Sequence, residues 1–328
     1  MSLDLDMSGR PASFARQGSV RGLLLPQRLA LFAVVALACC LGTLTRLLQG
    51  QAALLLALAA IAVAMWHGAY DQVQAEQVLA RRLGRHWLPL FLAGYAALAA
   101  VTFAGWQLVP FASLTLFLFY SAWHFGTEAE QHTPAPAAAL VALALGAAPI
   151  VAACWFHPSE VWPIFAQMLG GEGQAEARAR LLTHALGLSC WPVLAAAALG
   201  ILTGQAGRDA AQKWELAAVL LLEIALFAVC EPLIAFAVYF CCWHTPEHLM
   251  ATSLPPASLA TNLKTGFVPW LLSLALLGAV FVLGRHQAAA YRAEIFVVLS
   301  ALTVPHMALN ELRRASNLPS YHADCDEP

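Results

Sequence analysis

The chain has 328 residues, 60% of them hydrophobic and only 11% charged, with a formal net charge of −2. A soluble domain carries about a quarter of its residues as charged groups, so this composition excludes one, and the near-neutral balance excludes a nucleic-acid partner. The apolar runs are too long for barrel strands, so the fold class is all-α, a polytopic integral membrane helical bundle.

Residues 1–20 are polar and Arg-containing and read as a mobile cytoplasmic N-terminal segment. The run from Leu23 to Leu48 is too long for a signal-peptide core and lacks a cleavage site, which predicts a first transmembrane helix. Further spans are expected near 51–71, 88–108, 109–127, 136–157, 181–203, 214–230, 231–250, 266–284 and 293–312. Prolines at Val109-Pro110 and Glu231-Pro232 nearly fuse two pairs of spans, as tight turns or as kinks. The expected total is about 8–10 transmembrane helices. Residues 158–170 are too short to cross and are expected at the interface. The transmembrane helical domain is taken as 21–314, followed by a polar C-terminal tail, 315–328.

With the N-terminus inside, the inner side holds Arg10, Arg16, Arg21, Arg28, Arg81, Arg82, Arg85, Arg208, Lys213, Lys264, Arg313 and Arg314. The outer side holds only Arg46, Arg178, Arg180, Arg285 and Arg292. This excess predicts cytoplasmic termini for a multi-pass protein of the cell's inner membrane. The eight cysteines include no C-x-x-C pair, and seven lie in or beside apolar runs, so they read as small core residues.

Four histidine-centred motifs interrupt the apolar sequence: Trp66-His67-Gly68-Ala69-Tyr70-Asp71, Trp123-His124-Phe125-Gly126, Trp243-His244-Thr245-Pro246-Glu247-His248 and Pro305-His306-Met307. Ionisable groups within hydrocarbon pair, bind something or line a cavity. Imidazole is a favoured ligand of iron, copper and zinc. In this topology His67, His124, His244 and His306 all fall on outside-to-inside helices, toward their cytoplasmic ends. A common depth predicts one shared site, most simply a metal. The competing reading of any single one is a helix-packing histidine. That reading is preferred for His86, His132, His157, His286 and His322, which fall in loops, boundaries or the tail. It is also preferred for His184, which lies on the opposite side.

Neighbouring residues sharpen the expectation. Asp71 is four residues after His67, and Glu128 four after His124, so on a continuing helix each carboxylate would orient the imidazole before it. Both acids could equally be solvated helix-end charges, and Gly126 could end its helix before Glu128. Between His244 and His248, Thr245 and Pro246 suit an N-cap and a first helical position. His244 would then close one helix and His248 open the next. Trp66, Trp123 and Trp243 each precede a histidine, where about 0.3 such pairs are expected by chance. They read as an interfacial aromatic belt or as an aromatic wall for an apolar substrate.

At these motifs the chain resembles the Brp/Blh family of bacterial and archaeal β-carotene 15,15′-dioxygenases. Those proteins carry Pro-His-Gly-Ala-x-Asp, His-Phe-Gly, His-Ser-x-x-His and a late Pro-His, in that order. Here Trp66 replaces the first proline, Thr245 the serine, and Pro246-Glu247 fills the third motif. The resemblance implies a non-haem Fe(II) held by His67, His124, His244 and His248, with His306 as a fifth ligand or a partner of the ligands. It implies O2 as co-substrate and central cleavage of β-carotene, drawn from the membrane lipid, into two retinals. A retinal-binding rhodopsin would be a suitable downstream acceptor. An ordinary non-haem oxygenase uses two histidines and a carboxylate, a role open to Asp71. A His-rich lipid or carotenoid hydroxylase or desaturase would usually show an adjacent His-His pair, which is absent. A metal or proton transporter would spread its histidines in depth along discontinuous helices.

Overall fold

The computed structural model describes residues 12–48, 65–127, 136–171, 173–205, 210–251, 259–284 and 291–316, with a few more between 50 and 63. Among the described residues every regular element is helical. Four stretches are long and apolar enough to cross a membrane: Gln27–Leu44, one within His67–Leu108, Pro136–Phe156 and one within Gln174–Thr203. The protein is therefore an all-α bundle with membrane-spanning helices.

Helix α1 is Ala12–Leu44. The span expected at 51–71 is described only in part. Its end is a 3-10 turn, His67–Tyr70, which runs directly into α2, Asp71–Leu83. No span is expected between 71 and 88, yet α2 fills most of that stretch, burying Asp71, Gln74, Ala75 and Val78 on one face and leaving Arg81 and Arg82 exposed. Its i, i+3, i+4, i+7 stripe is helical, but two of the four positions are polar, which hides it from an apolar search.

Helix α3 is Trp87–Leu108 and α4 is Pro110–Thr127. Between them Val109 leaves helical geometry, at φ −140° and ψ 59°. Glu231, at φ −50° and ψ 143°, makes the second break. Both prolines therefore begin helices, where their missing N–H costs nothing. The remaining helices are α5 (Pro136–Phe156), α6 (Pro158–Met168), α7 (Gln174–Leu188), α8 (Cys190–Thr203), α9 (Ala210–Val229) and α10 (Pro232–Tyr239). After them come α11 (Thr245–Ala251), α12 (Leu259–Gly284) and α13 (Tyr291–Ala315). Helix α6 has 11 residues and spans roughly 16 Å, too short to cross, as expected. After residue 109 the other expected spans are helical among the described residues, but α9 carries Lys213, Glu215 and Glu223, and α13 carries five charged residues.

The largest apolar core gathers Phe32 of α1, Ala148 of α5, Ala197 of α8, Leu226 and Phe227 of α9 and Ile234 of α10. Helices α4 and α5 approach so closely that a Cβ on Gly126 would overlap the Ala142 carbonyl, and one on Gly146 the Ala122 carbonyl. Small residues permit this contact between helices in a membrane setting. Gly126 is therefore a packing residue and does not end its helix, which continues to Thr127.

Arg28 and Arg314, assigned from sequence to the cytoplasmic side, are both buried. Arg314 Nη1 donates to the Thr127 carbonyl at 2.9 Å and Nη2 pairs with Glu311. Glu311 also accepts the Trp123 indole N–H at 2.7 Å. A cation on the last carbonyls of α4 satisfies groups that a helix leaves open and complements its dipole.

Because both neighbours at the α4–α5 contact are backbone atoms, Gly126→Ala can be relieved only by separating the helices. We expect it to lower stability by about 1–3 kcal/mol and to displace His124, two residues away. Thermal unfolding in detergent should register the loss, and Phe125→Leu, beside it, should cost less.

Candidate functional site

The histidine motifs converge. His67 stands in the 3-10 turn, His124 one turn from the end of α4, His244 and His248 around the junction into α11, and His306 in the middle of α13. All five side chains are buried. The ring centre of His67 lies 5.4 Å from that of His244, 5.1 Å from His248 and 4.8 Å from His306. His124 lies 5.2 Å from His244 and 5.3 Å from His306. His248 is 4.8 Å from His306 and 6.5 Å from His244. Among the described residues no group of three or more His, Cys, Asp or Glu forms a ready-made metal cage. The structure provides a cluster of touching, buried imidazoles.

The third motif reaches the cluster by an unexpected route. Residues Phe240–His244 form a π-turn, in which the Thr245 N–H bonds the Phe240 carbonyl five residues back. Thr245 has helical angles, φ −60° and ψ −48°. It is not an N-cap between two helices; the chain passes from α10 through the wide turn into α11. The wider turn makes room for Pro246, whose ring would otherwise crowd the preceding turn.

Asp71 also departs from expectation. Its Oδ1 accepts the Nδ1 proton of His306 at 2.7 Å, and its Oδ2 lies 3.1 Å from the Tyr95 hydroxyl. The Tyr95 hydroxyl is also 3.0 Å from the Leu302 carbonyl of α13, three residues before Pro305. Asp71 therefore orients His306 and not His67. The cause is the 3-10 turn: at about 120° per residue, position i+4 faces away from i. Glu128, proposed for the same role beside His124, lies outside the described residues.

Residues invisible as motifs complete the surroundings. Gln74 Nε2 is 3.1 Å from His248 Nε2. Asn310 Nδ2 is 3.3 Å from His306 Nε2 and donates to the His306 carbonyl at 3.2 Å. Asn310 stands four residues after His306, and Gln74 three after Asp71, so helical spacing could have found both. Tyr95 meets Asp71 across two helices, and nothing local in the sequence announces it.

An aromatic column leads away from the cluster. Phe240 stacks on His244 at 4.9 Å, and Phe236 stacks on Phe240 at 5.6 Å. Phe125 meets His244 edge-on at 4.9 Å. The four-residue spacing 236, 240, 244, 248 carries this signal in the sequence. The three tryptophans serve other contacts. The Trp66 indole donates to the Tyr70 hydroxyl at 3.0 Å and packs on Trp270. Trp123 binds Glu311, and Trp243 lies beneath Arg28.

The other described histidines stay apart. His157 bonds the Phe227 carbonyl at 2.8 Å, while His86 and His184 are exposed. His132, His286 and His322 lie outside the described residues.

Residues 58–312 match the profile of the β-carotene 15,15′-dioxygenase family, so the match contains all five clustered histidines. The chain belongs to that family. It is accordingly an oxygenase-type oxidoreductase. A β-carotene 15,15′-dioxygenase from an uncultured marine bacterium, 66A03, is 26% identical over 254 residues, covering 74% of this chain and 87% of the relative. No solved structure matches.

The Asp71–His306 bond generates a test. Asp71→Asn should lower turnover about 10–100-fold, as loss of a carboxylate behind a site histidine typically does. In a His306→Ala background the same change should add little, because the two act as one unit. A full additional loss in that background would show that Asp71 acts through some other group.

Proposed function

We propose that this protein is a membrane-embedded non-haem Fe(II) dioxygenase that cleaves β-carotene at its central double bond, giving two molecules of all-trans-retinal. The observation that carries this reading is the convergence of five buried imidazoles within the region matched by the family. In the balanced reaction the 15,15′ double bond breaks and each carbon receives one oxygen atom of O2. No external reductant is required.

The donor set supports this reading. Nitrogens about 2.1 Å from one ion place neighbouring ring centres roughly 4.5–5.5 Å apart; His67–His244, His67–His248 and His124–His244, at 5.4, 5.1 and 5.2 Å, lie in that range, and His244–His248, at 6.5 Å, lies wider. Neutral imidazole suits iron. His67, His124, His244 and His248 are the proposed ligands, and His306 is held beside them by Asp71 and Asn310. When bound, the iron supplies the oxygen activation that no side chain offers.

The chain's own contribution is positioning and exclusion of water. A carotenoid has no polar handle, so recognition rests on apolar contact and shape. The Phe236–Phe240–His244 column gives a long flat polyene a surface that ends at the histidines. Entry from the bilayer fits the apolar helices. A cytoplasmic placement of both termini in the inner membrane follows the Lys and Arg distribution, and a rhodopsin is a chemically suitable acceptor of the product.

Three measurements test the proposal. Expression in a β-carotene-producing host should bleach the pigment and yield retinal; longer apocarotenals would move the cut off-centre. Purified protein should hold iron, and chelation should abolish turnover that Fe(II) but not Zn(II) restores, since zinc has no redox change. His67→Ala, His124→Ala, His244→Ala and His248→Ala should each abolish activity, while the exposed His86→Ala and His184→Ala retain it. Equal losses in both groups would remove the ligand assignment.

The aromatic column adds a separate expectation. Phe240→Ala should raise KM roughly tenfold, equivalent to about 1.4 kcal/mol of lost contact, with iron content unchanged. An unaltered KM would place the substrate elsewhere.

A further inference from the structure

Arg28 lies on α1, outside the residues that match the family, which begin at 58. It is buried, and it touches the third histidine motif twice. Its guanidinium carbon stands 4.0 Å above the Trp243 ring. Its Nη1 lies 3.8 Å from Glu247 Oε1. On the other side Nη2 donates to Glu215 Oε1 of α9 at 2.9 Å. Trp243 immediately precedes His244, and Glu247 immediately precedes His248.

This segment has reason to need outside support. A π-turn occupies residues 240–244, and Pro246 removes a further backbone donor. Consecutive helical residues point about 100° apart, so fixing the side facing α1 fixes the side facing the histidine cluster. Arginine suits the task because its flat fork can stack on an indole while its N–H groups meet carboxylates. We propose that Arg28 is a positioning residue for His244 and His248, acting through Trp243 and Glu247. The inference rests on the reading that these two histidines hold iron.

The test compares the full-length parent with Arg28→Ala, Arg28→Lys and Glu247→Gln. Three quantities are measured: Fe(II) affinity by chelator competition, the visible spectrum of the cobalt(II)-substituted protein, and kcat and KM with β-carotene in micelles. Arg28→Ala should weaken Fe(II) binding about 10-fold or more, alter the cobalt bands and lower kcat with KM unchanged. Arg28→Lys keeps the charge opposite Glu215 but loses the flat stack, and should fall between. If Arg28→Ala does not fold, Arg28→Lys and Glu247→Gln decide the matter. Folded variants with the parent's iron affinity, cobalt spectrum and kcat overturn the proposal. So does a loss of thermal stability alone, which would assign Arg28 to the fold. A parent protein that binds neither ion overturns the iron reading and takes this inference with it.

Discussion

A carboxylate buried in an apolar bundle must have its oxygens satisfied, or its desolvation is not recovered. Asp71 meets that demand with partners from two other helices, His306 of α13 and Tyr95 of α3. The requirement fixes where α2, α3 and α13 stand relative to one another. It also fixes a histidine ring, because only one orientation of His306 delivers its Nδ1 proton to Asp71. Polar satisfaction and site geometry are here the same interaction. Arg314 repeats the pattern at the end of α4, where its bonds to Thr127 and Glu311 hold the helix that carries His124.

Much of this was legible in the sequence. The apolar runs and the bilayer's length requirement specify a helical membrane bundle, and histidines at a common depth specify convergence. The details that failed share one cause: they depend on local backbone form or on distant partners. Asp71 stands four residues from His67, but a 3-10 turn separates them, so the helical rule pairs the wrong groups. Gly126 reads as a helix end because glycine often is one, yet its missing Cβ answers to Ala142 of another helix. Lys and Arg counting places Arg28 and Arg314 on one side of the membrane but does not reveal Glu215 and Glu311, their partners in the fold.

The tryptophans illustrate the same limit. Their adjacency to histidine is well above chance, and an aromatic wall was one reading. Adjacent helical residues point about 100° apart, however, so the residue before a site histidine can face a different neighbour. Trp243 faces α1 and Trp123 faces α13. The aromatic groups against His244 sit four positions back, at Phe240, or on another helix, at Phe125. The tryptophans brace the scaffold, while Phe240, one turn before His244, and Phe125, the residue after His124, pack on the site.

The π-turn at Phe240–His244 amounts to an extra residue accommodated within an otherwise regular helix. Its presence sets the angular phase between α10, anchored in the apolar core, and α11, which carries His248. Winding the same five residues as ordinary α-helix would carry everything beyond them about 100° further round, and His248 would leave the cluster while α10 stayed packed. Deleting one of them would instead let an ordinary turn close with the flanking helices near their present phase. The wide turn thus works as a spacer that absorbs one residue, and it ties the winding of this segment to the direction in which His248 faces.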